Sequence, residues 1–176
     1  ELKSPVWTGD PRISGGFLYE TPIHLFDMLR WQMGDVLAVQ CLARQSCYSE
    51  LDSFSVLFTF SDNRHATFTT VAHTTWAFPF ERLELYSDHA QLATEEMEKV
   101  IYAPGLGQDM VCYNFQQVPF QQKWGYVEED RLFIDSILGG KTPAVTAEDG
   151  YRAVEIAEAI YRSARMGGER VQLPLA

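Results

Sequence analysis

The run Ser53–His73, SFSVLFTFSDNRHATFTTVAH, decides the fold. Phe54, Val56, Phe58 and Phe60 alternate with Ser55, Leu57 and Thr59, the two-residue period of a strand with one buried face. The turn Ser61–Asn63 is short enough for a hairpin, and ATFTTVAH (66–73) supplies a second β-branched and aromatic run. Two strands joined by so short a turn are antiparallel. Working outward, VLAVQCLAR (36–44), RLELYS (82–87) and VCYNFQQV (111–118) read as further strands. The glycine-rich PGLGQDM, from Pro104, reads as a plain turn, because a strand follows where a dinucleotide fingerprint needs a helix.

Helices flank this block. The first is expected around Thr21–Met33, with Thr21 as N-cap, Pro22 at N1 and Gly34 as the stop. A second covers Val127–Leu138, with Phe133, Ile134, Ile137 and Leu138 facing inward. The clearest is TAEDGYRAVEIAEAIYRSARMGG. There Thr146 and Asp149 resemble a capping box, Val154, Ala157, Tyr161 and Ala164 form an apolar stripe, and Gly167–Gly168 ends the helix. Residues 1–176 therefore read as a single α+β domain, a large, mostly antiparallel sheet with helices on one face. The other face stays open, and a second copy of the chain would cover it.

The formal net charge of −10 argues against nucleic acid and against an anionic membrane as partners. No apolar run approaches the roughly 18 residues of a membrane span, and no signal peptide is visible. The three cysteines, Cys41, Cys47 and Cys112, match no zinc spacing. Cys41 and Cys112 fall in strand-like runs as buried, reduced thiols, which favours a cytoplasmic setting. The chain opens at Glu1 without an initiator Met and is expected to be a piece of a longer polypeptide.

Chemistry concentrates in GGFLYETPIHLFDMLRW, Gly15–Trp31. On a helix from Pro22, His24, Asp27 and Trp31 share one face, Glu20 sits just ahead of it, and Leu25, Phe26, Leu29 and Met33 face the sheet. His24 falls near N3, where a neutral imidazole can accept or share a substrate proton, with Glu20 or Asp27 orienting the ring. The plainer alternative is a surface helix with acidic residues in its first turn and an incidental His. With one His in the cluster, and His65, His73 and His89 far off in sequence, no metal site is expected there.

Two stretches carry a resemblance to a known family. SGGFLYETPIHLFDMLRWQMGD is similar to the Gly-Gly stretch, Asp-x-x-x-His-x-x-Asp motif and amphipathic helix of the glucose-fructose oxidoreductase / inositol dehydrogenase / MocA-like C-terminal domain. TPAVTAEDGYRAVEIAEAIYRSARMGGERVQLP is similar to its closing helix and strand, and ERLELYSDHAQL to its middle strand and turn. The resemblance implies a two-domain oxidoreductase in which an N-terminal Rossmann domain, outside this chain, binds NAD or NADP. This domain then supplies the substrate wall and the sheet through which a homo-dimer or tetramer forms, and the chain alone is inactive. The substrate is a small molecule with a hydroxyl-bearing carbon, such as a sugar or polyol.

By the same resemblance His24 is the acid–base or oxygen-polarising residue, working with a Lys of the missing domain. Glu20 occupies the place of the family's Asp, one methylene longer, and Pro22 stands where Gly is frequent. Asp27 matches the following Asp, with a structural or substrate-binding rather than a catalytic role. Arg12, Arg30, Trp31 and Lys123 are candidate substrate contacts, and Trp31 and Trp124 could stack on a sugar ring. Two readings of another class stand beside this one. One is a non-catalytic ligand-sensing or protein-interaction module, distinguished by the absence of the upstream Lys; the other is a self-associating structural domain, indifferent to Glu20 and His24.

Overall fold

A computed structural model describes residues 10–74 and 81–176. In chain order the elements are α1 (Pro11–Ser14), α2 (Phe17–Glu20), α3 (Ile23–Met33), β1 (Ala38–Arg44), β2 (Ser53–Thr59), β3 (His65–Val71), β4 (Glu84–Tyr86), β5 (Gln91–Glu95), β6 (Lys99–Ala103), β7 (Val111–Asn114), α4 (Phe120–Lys123), α5 (Tyr126–Gly139), α6 (Ala147–Arg165) and β8 (Val171–Gln172). They fall into two compact units, Glu1–Thr74 with Val145–Ala176, and Thr75–Ala144. The fold is α+β, with the strands distributed over two four-stranded antiparallel sheets rather than one.

The first sheet runs β3-β2-β1-β8. Its central hairpin is the one expected, with Val56 opposite Phe68 and Phe58 opposite Ala66. Asp62 and Asn63 reverse the chain at φ 57° and 58°, in the left-handed region that these two residue types enter more readily than other side chains. One face of the sheet carries Val39 and Cys41, Phe54, Val56 and Phe58, all buried, beneath Phe26 and Leu29 of α3 and Ile156, Ala157, Ile160 and Tyr161 of α6. Buried Ser163 is satisfied on both sides, accepting from the Cys41 backbone N–H at 2.8 Å and donating to the Glu169 carbonyl at 2.6 Å. The opposite face presents Gln40, Leu42, Ser55, Leu57, Thr67 and Thr69.

The second unit is a meander, β4-β5-β6-β7, followed by α4 and α5. Among its described residues only Ala93 is a buried hydrophobic.

Several expectations are corrected. Thr21 does not cap α3; it ends α2, Pro22 takes the cap position, and the helix starts one residue later. In α5, Phe133, Ile134, Ile137 and Leu138 are all exposed, Leu138 by 81%. An apolar stripe tells which residues share a face and leaves open whether anything covers it. In α6 the capping box is present, but Val154 is exposed, and Ala153, Ile156 and Ile160 join Ala157 and Tyr161 in the core. Cys112 is exposed on β7, a strand that ends at Asn114 rather than Val118, and only Cys41 is a buried thiol. No helix among the described residues is long and apolar enough to cross a membrane.

Candidate functional site

The glycine pair sets the approach to the site. Gly15 ends α1 at φ 79° and Gly16 opens α2 at φ 130°, backbone that side chains rarely adopt. A Cβ on Gly16 would also lie 2.5 Å from the Tyr161 hydroxyl. The missing side chain lets α2 settle against α6, where the Leu18 N–H donates to the Tyr161 hydroxyl at 3.2 Å and the Tyr19 hydroxyl donates to Glu158 at 2.8 Å. Burial pushes the Tyr161 phenol up to about 12. It also raises Tyr19, reinforced by the neighbouring Glu158 carboxylate. Glu158 itself is held below the usual carboxylate range, first by Arg162 and then by the Tyr19 hydroxyl.

Beyond α2 the chain turns at Thr21–Pro22 into α3. Phe26 and Leu29 anchor α3 in the core, so His24 and Trp31 point outward, Trp31 81% exposed. Asp27 lies on the same face, half-exposed, 3.7 Å from Arg30. Glu20, at the end of α2, is half-buried, and its carboxylate accepts from the Thr21 hydroxyl. His24, Asp27 and Trp31 thus lie on the outer side of α3, and Glu20 ends the short helix before it. An imidazole placed there, with carboxylates before and after it, is equipped to exchange a proton with a molecule bound against the helix.

The other candidates are engaged elsewhere. Arg12 grips Asp10 through two hydrogen bonds of 2.9 and 2.7 Å at the start of α1. Arg30 is 17% exposed and joins α3 to Asp35 at 2.9 Å and to Asp149 at the first turn of α6 at 3.3 Å. Burial opposes its charge, but these two carboxylates more than offset it and hold the guanidinium above its usual range. A depression of about 190 Å³ beside it also holds Arg152 and Glu155, themselves paired at 2.9 Å. Lys123 belongs to the second unit, where it ends α4 and donates to Glu98, and Trp124 beside it packs on Phe120 with ring centroids 5.0 Å apart. Gly105 and Gly107 lie in the turn between β6 and β7, so that loop forms no strand–turn–helix cradle for a dinucleotide.

Sequence reasoning missed the tyrosine clamp. Tyr161 was visible as part of an apolar stripe, but nothing in a linear pattern shows that its hydroxyl meets Gly16, far away in sequence.

The family model described as "Oxidoreductase family, C-terminal alpha/beta domain" matches residues 2–173. No curated protein matches the chain. Among solved structures, levoglucosan dehydrogenase in complex with NADH and levoglucosan superposes with a TM-score of 0.86 at 16% identity, covering 99% of this chain and 55% of that one. An oxidoreductase from Agrobacterium radiobacter in complex with NAD+, L-tartaric acid and magnesium gives 0.79 at 16%, covering 96% and 53%. Aldose-aldose oxidoreductase from Caulobacter crescentus complexed with glycerol gives 0.77 at 19%, covering 98% and 52%. At such identities the likeness is one of fold. The chain spans about half the length of these structures.

Proposed function

The chain belongs to the oxidoreductase family through its C-terminal alpha/beta domain, and from that premise we infer that it is the substrate-binding and dimerisation half of a nicotinamide-dependent dehydrogenase. Its substrate is a small molecule with a hydroxyl-bearing carbon, of the sugar or polyol class named in the levoglucosan and aldose relatives. The observation that carries the reading is His24, held outward on a helix whose other side is locked in the core, with Glu20 and Asp27 before and after it.

The described residues do not build a dinucleotide cradle, so the cofactor, NAD or NADP, is assigned to a preceding domain. When bound there, the nicotinamide supplies the two-electron acceptor or donor. This chain handles the proton: a ring nitrogen of His24 takes it from the substrate hydroxyl in oxidation and returns it in reduction. Glu20 and Asp27 steady the cationic ring that results, and Trp31 offers an apolar plate for a sugar face. Dimerisation is assigned to the open face of the first sheet, where Leu42 and Leu57 are 70% and 39% exposed around a depression of about 490 Å³. The free cysteines fit a reducing, cytoplasmic setting.

The test is His24→Ala in the full-length protein. Loss of a general acid–base group should lower kcat by about 100-fold or more, with cofactor binding and thermal midpoint unchanged. Unaltered turnover would remove His24 from the chemistry. A full-length protein that binds both cofactor and sugar yet turns nothing over would favour the ligand-sensing alternative.

A further inference from the structure

At the loop end of the β1–β2 hairpin, three potential metal ligands converge. We propose that Cys47, Asp52 and His73 form a site for a borderline divalent transition ion of the Zn²⁺ class, with the remaining coordination position open to water.

The convergence is imposed by the sheet. Asp52 stands just ahead of β2, and ladder bonds fix its backbone on both sides. Its N–H donates to the Arg44 carbonyl at 3.0 Å, and its carbonyl accepts from the Ala72 N–H at 2.8 Å. His73 is the next residue after Ala72, so the strand ends themselves carry it to Asp52, with Nδ1 3.7 Å from Oδ2. The loop from Ser46 folds back over the same carboxylate. Ser46, Cys47 and Tyr48 all donate backbone N–H groups to it, which sets Cys47 beside the pair. One ligand atom from each of the three residues lies within 4.8 Å of the others.

Tetrahedral zinc, with bonds of about 2.0–2.3 Å, separates its ligand atoms by roughly 3.3–3.8 Å. His73 Nδ1 stands 3.7 Å from Oδ2, the neighbour of the oxygen left open to a metal. Any remaining closure, about 1 Å at most on this spacing, belongs to exposed side chains that can rotate. Asp52 is fully buried and its orientation is locked by the loop amides, the kind of preorganisation that outer-shell hydrogen bonds give a metal ligand. Oδ1 takes only one of these bonds, from Ser46, and so keeps an acceptor position for a metal, while Oδ2, with three, anchors the carboxylate beside His73. A set of one sulfur, one nitrogen and one oxygen suits Zn²⁺ or Co²⁺ and disfavours Mg²⁺ or Ca²⁺, which prefer oxygen alone. Three protein ligands with exposed flanks leave a position for water, as in open zinc sites. The linear pattern hides this site because its ligands come from a loop, a strand start and a strand end, five and twenty-one residues apart.

The test is Co²⁺ titration of the reduced, chelator-treated full-length protein. Stoichiometric binding with a thiolate-to-cobalt band in the near ultraviolet, reversed by Zn²⁺, is expected. Cys47→Ser should abolish the band and His73→Ala should weaken binding at least tenfold. Both side chains are exposed, so the metal-free variants should keep the parent circular dichroism and melting temperature. A Cys112→Ser control should leave the band intact. The proposal is overturned if no stoichiometric Co²⁺ binds, if the band survives Cys47→Ser, or if Cys112→Ser removes it.

Discussion

At the scale of single residues, Tyr161 does the most to place the candidate site. It is 4% exposed, packs edge-on to Phe54 with centroids 5.6 Å apart, and offers its hydroxyl to the backbone of α2. Burying a phenol disfavours its phenolate, which is why burial carries Tyr161 up to about 12 and raises Tyr19 as well. In the unfolded chain both titrate near pH 10. Between that pH and about 12 the folded state therefore keeps a proton on Tyr161 that the unfolded state has lost. This contribution to stability is complete below pH 10 and disappears as pH rises through the folded value. Urea midpoints measured from pH 8 upward should accordingly fall across that window. Tyr161→Phe should lower the midpoint at pH 8 by the loss of one hydrogen bond, about 1 kcal/mol, and should fall less steeply above pH 10; parallel curves would show that Tyr161 stays accessible to base. The sequence revealed the outward placement of His24 and Trp31, since an amphipathic helix declares its faces. It concealed why Gly16 precedes that helix, because the reason is a contact with Tyr161 on α6.

Elements differ in how much of their own end and face chemistry they carry. In α6 the Thr146 hydroxyl accepts from the Asp149 N–H at 3.4 Å, and the Asp149 carboxylate accepts from the Thr146 N–H at 2.8 Å. The reciprocal bonds satisfy helix-end donors. The Thr146 hydroxyl, which donates to the Asp149 carboxylate at 2.7 Å, and then the Thr146 N–H hold Asp149 below the usual carboxylate range, with Arg30 adding to the effect. Thr146→Ala should cost about 1 kcal/mol in chemical denaturation with helical content retained. A change within error would mean that the Arg30–Asp149 contact alone holds the start of α6. Such a cap is local, so Thr146 and Asp149 disclosed it in the sequence. The hairpin β5–β6 was not legible for the opposite reason. Its turn is Glu96, Met97 and Glu98, with Glu96 at φ 46°, and a turn without Gly, Asn or Pro gives no turn signature. The same limit applies to α5: Phe133, Ile134, Ile137 and Leu138 declare a shared face, and their exposure records that none of the described residues buries them.

For the molecule as a whole, the two faces of the first sheet pose one physical problem with two different answers. One face is closed by α3 and α6. The other mixes Leu42 and Leu57 with Gln40, Ser55, Thr67 and Thr69, apolar side chains among neutral polar ones and no charge among these six. Gly168, at φ 94°, lies against its edge, where a Cβ would come within 3.0 Å of Leu42. A patch of six neutral residues in a chain of net charge −10 is suited to meet its own copy, since self-association of an acidic surface must overcome like-charge repulsion. A two-fold pairing brings the same patch of both copies into one interface. Leu42→Arg combined with Leu57→Arg therefore sets four cations into one interface. The parent full-length protein should run as a dimer or tetramer in light scattering, and the double variant should drop to a smaller species. Because Leu42 and Leu57 are both exposed, their replacement should leave circular dichroism unchanged, so a fall in mass could not be traced to unfolding. An unchanged mass would move the contact to another surface and leave this face open to solvent.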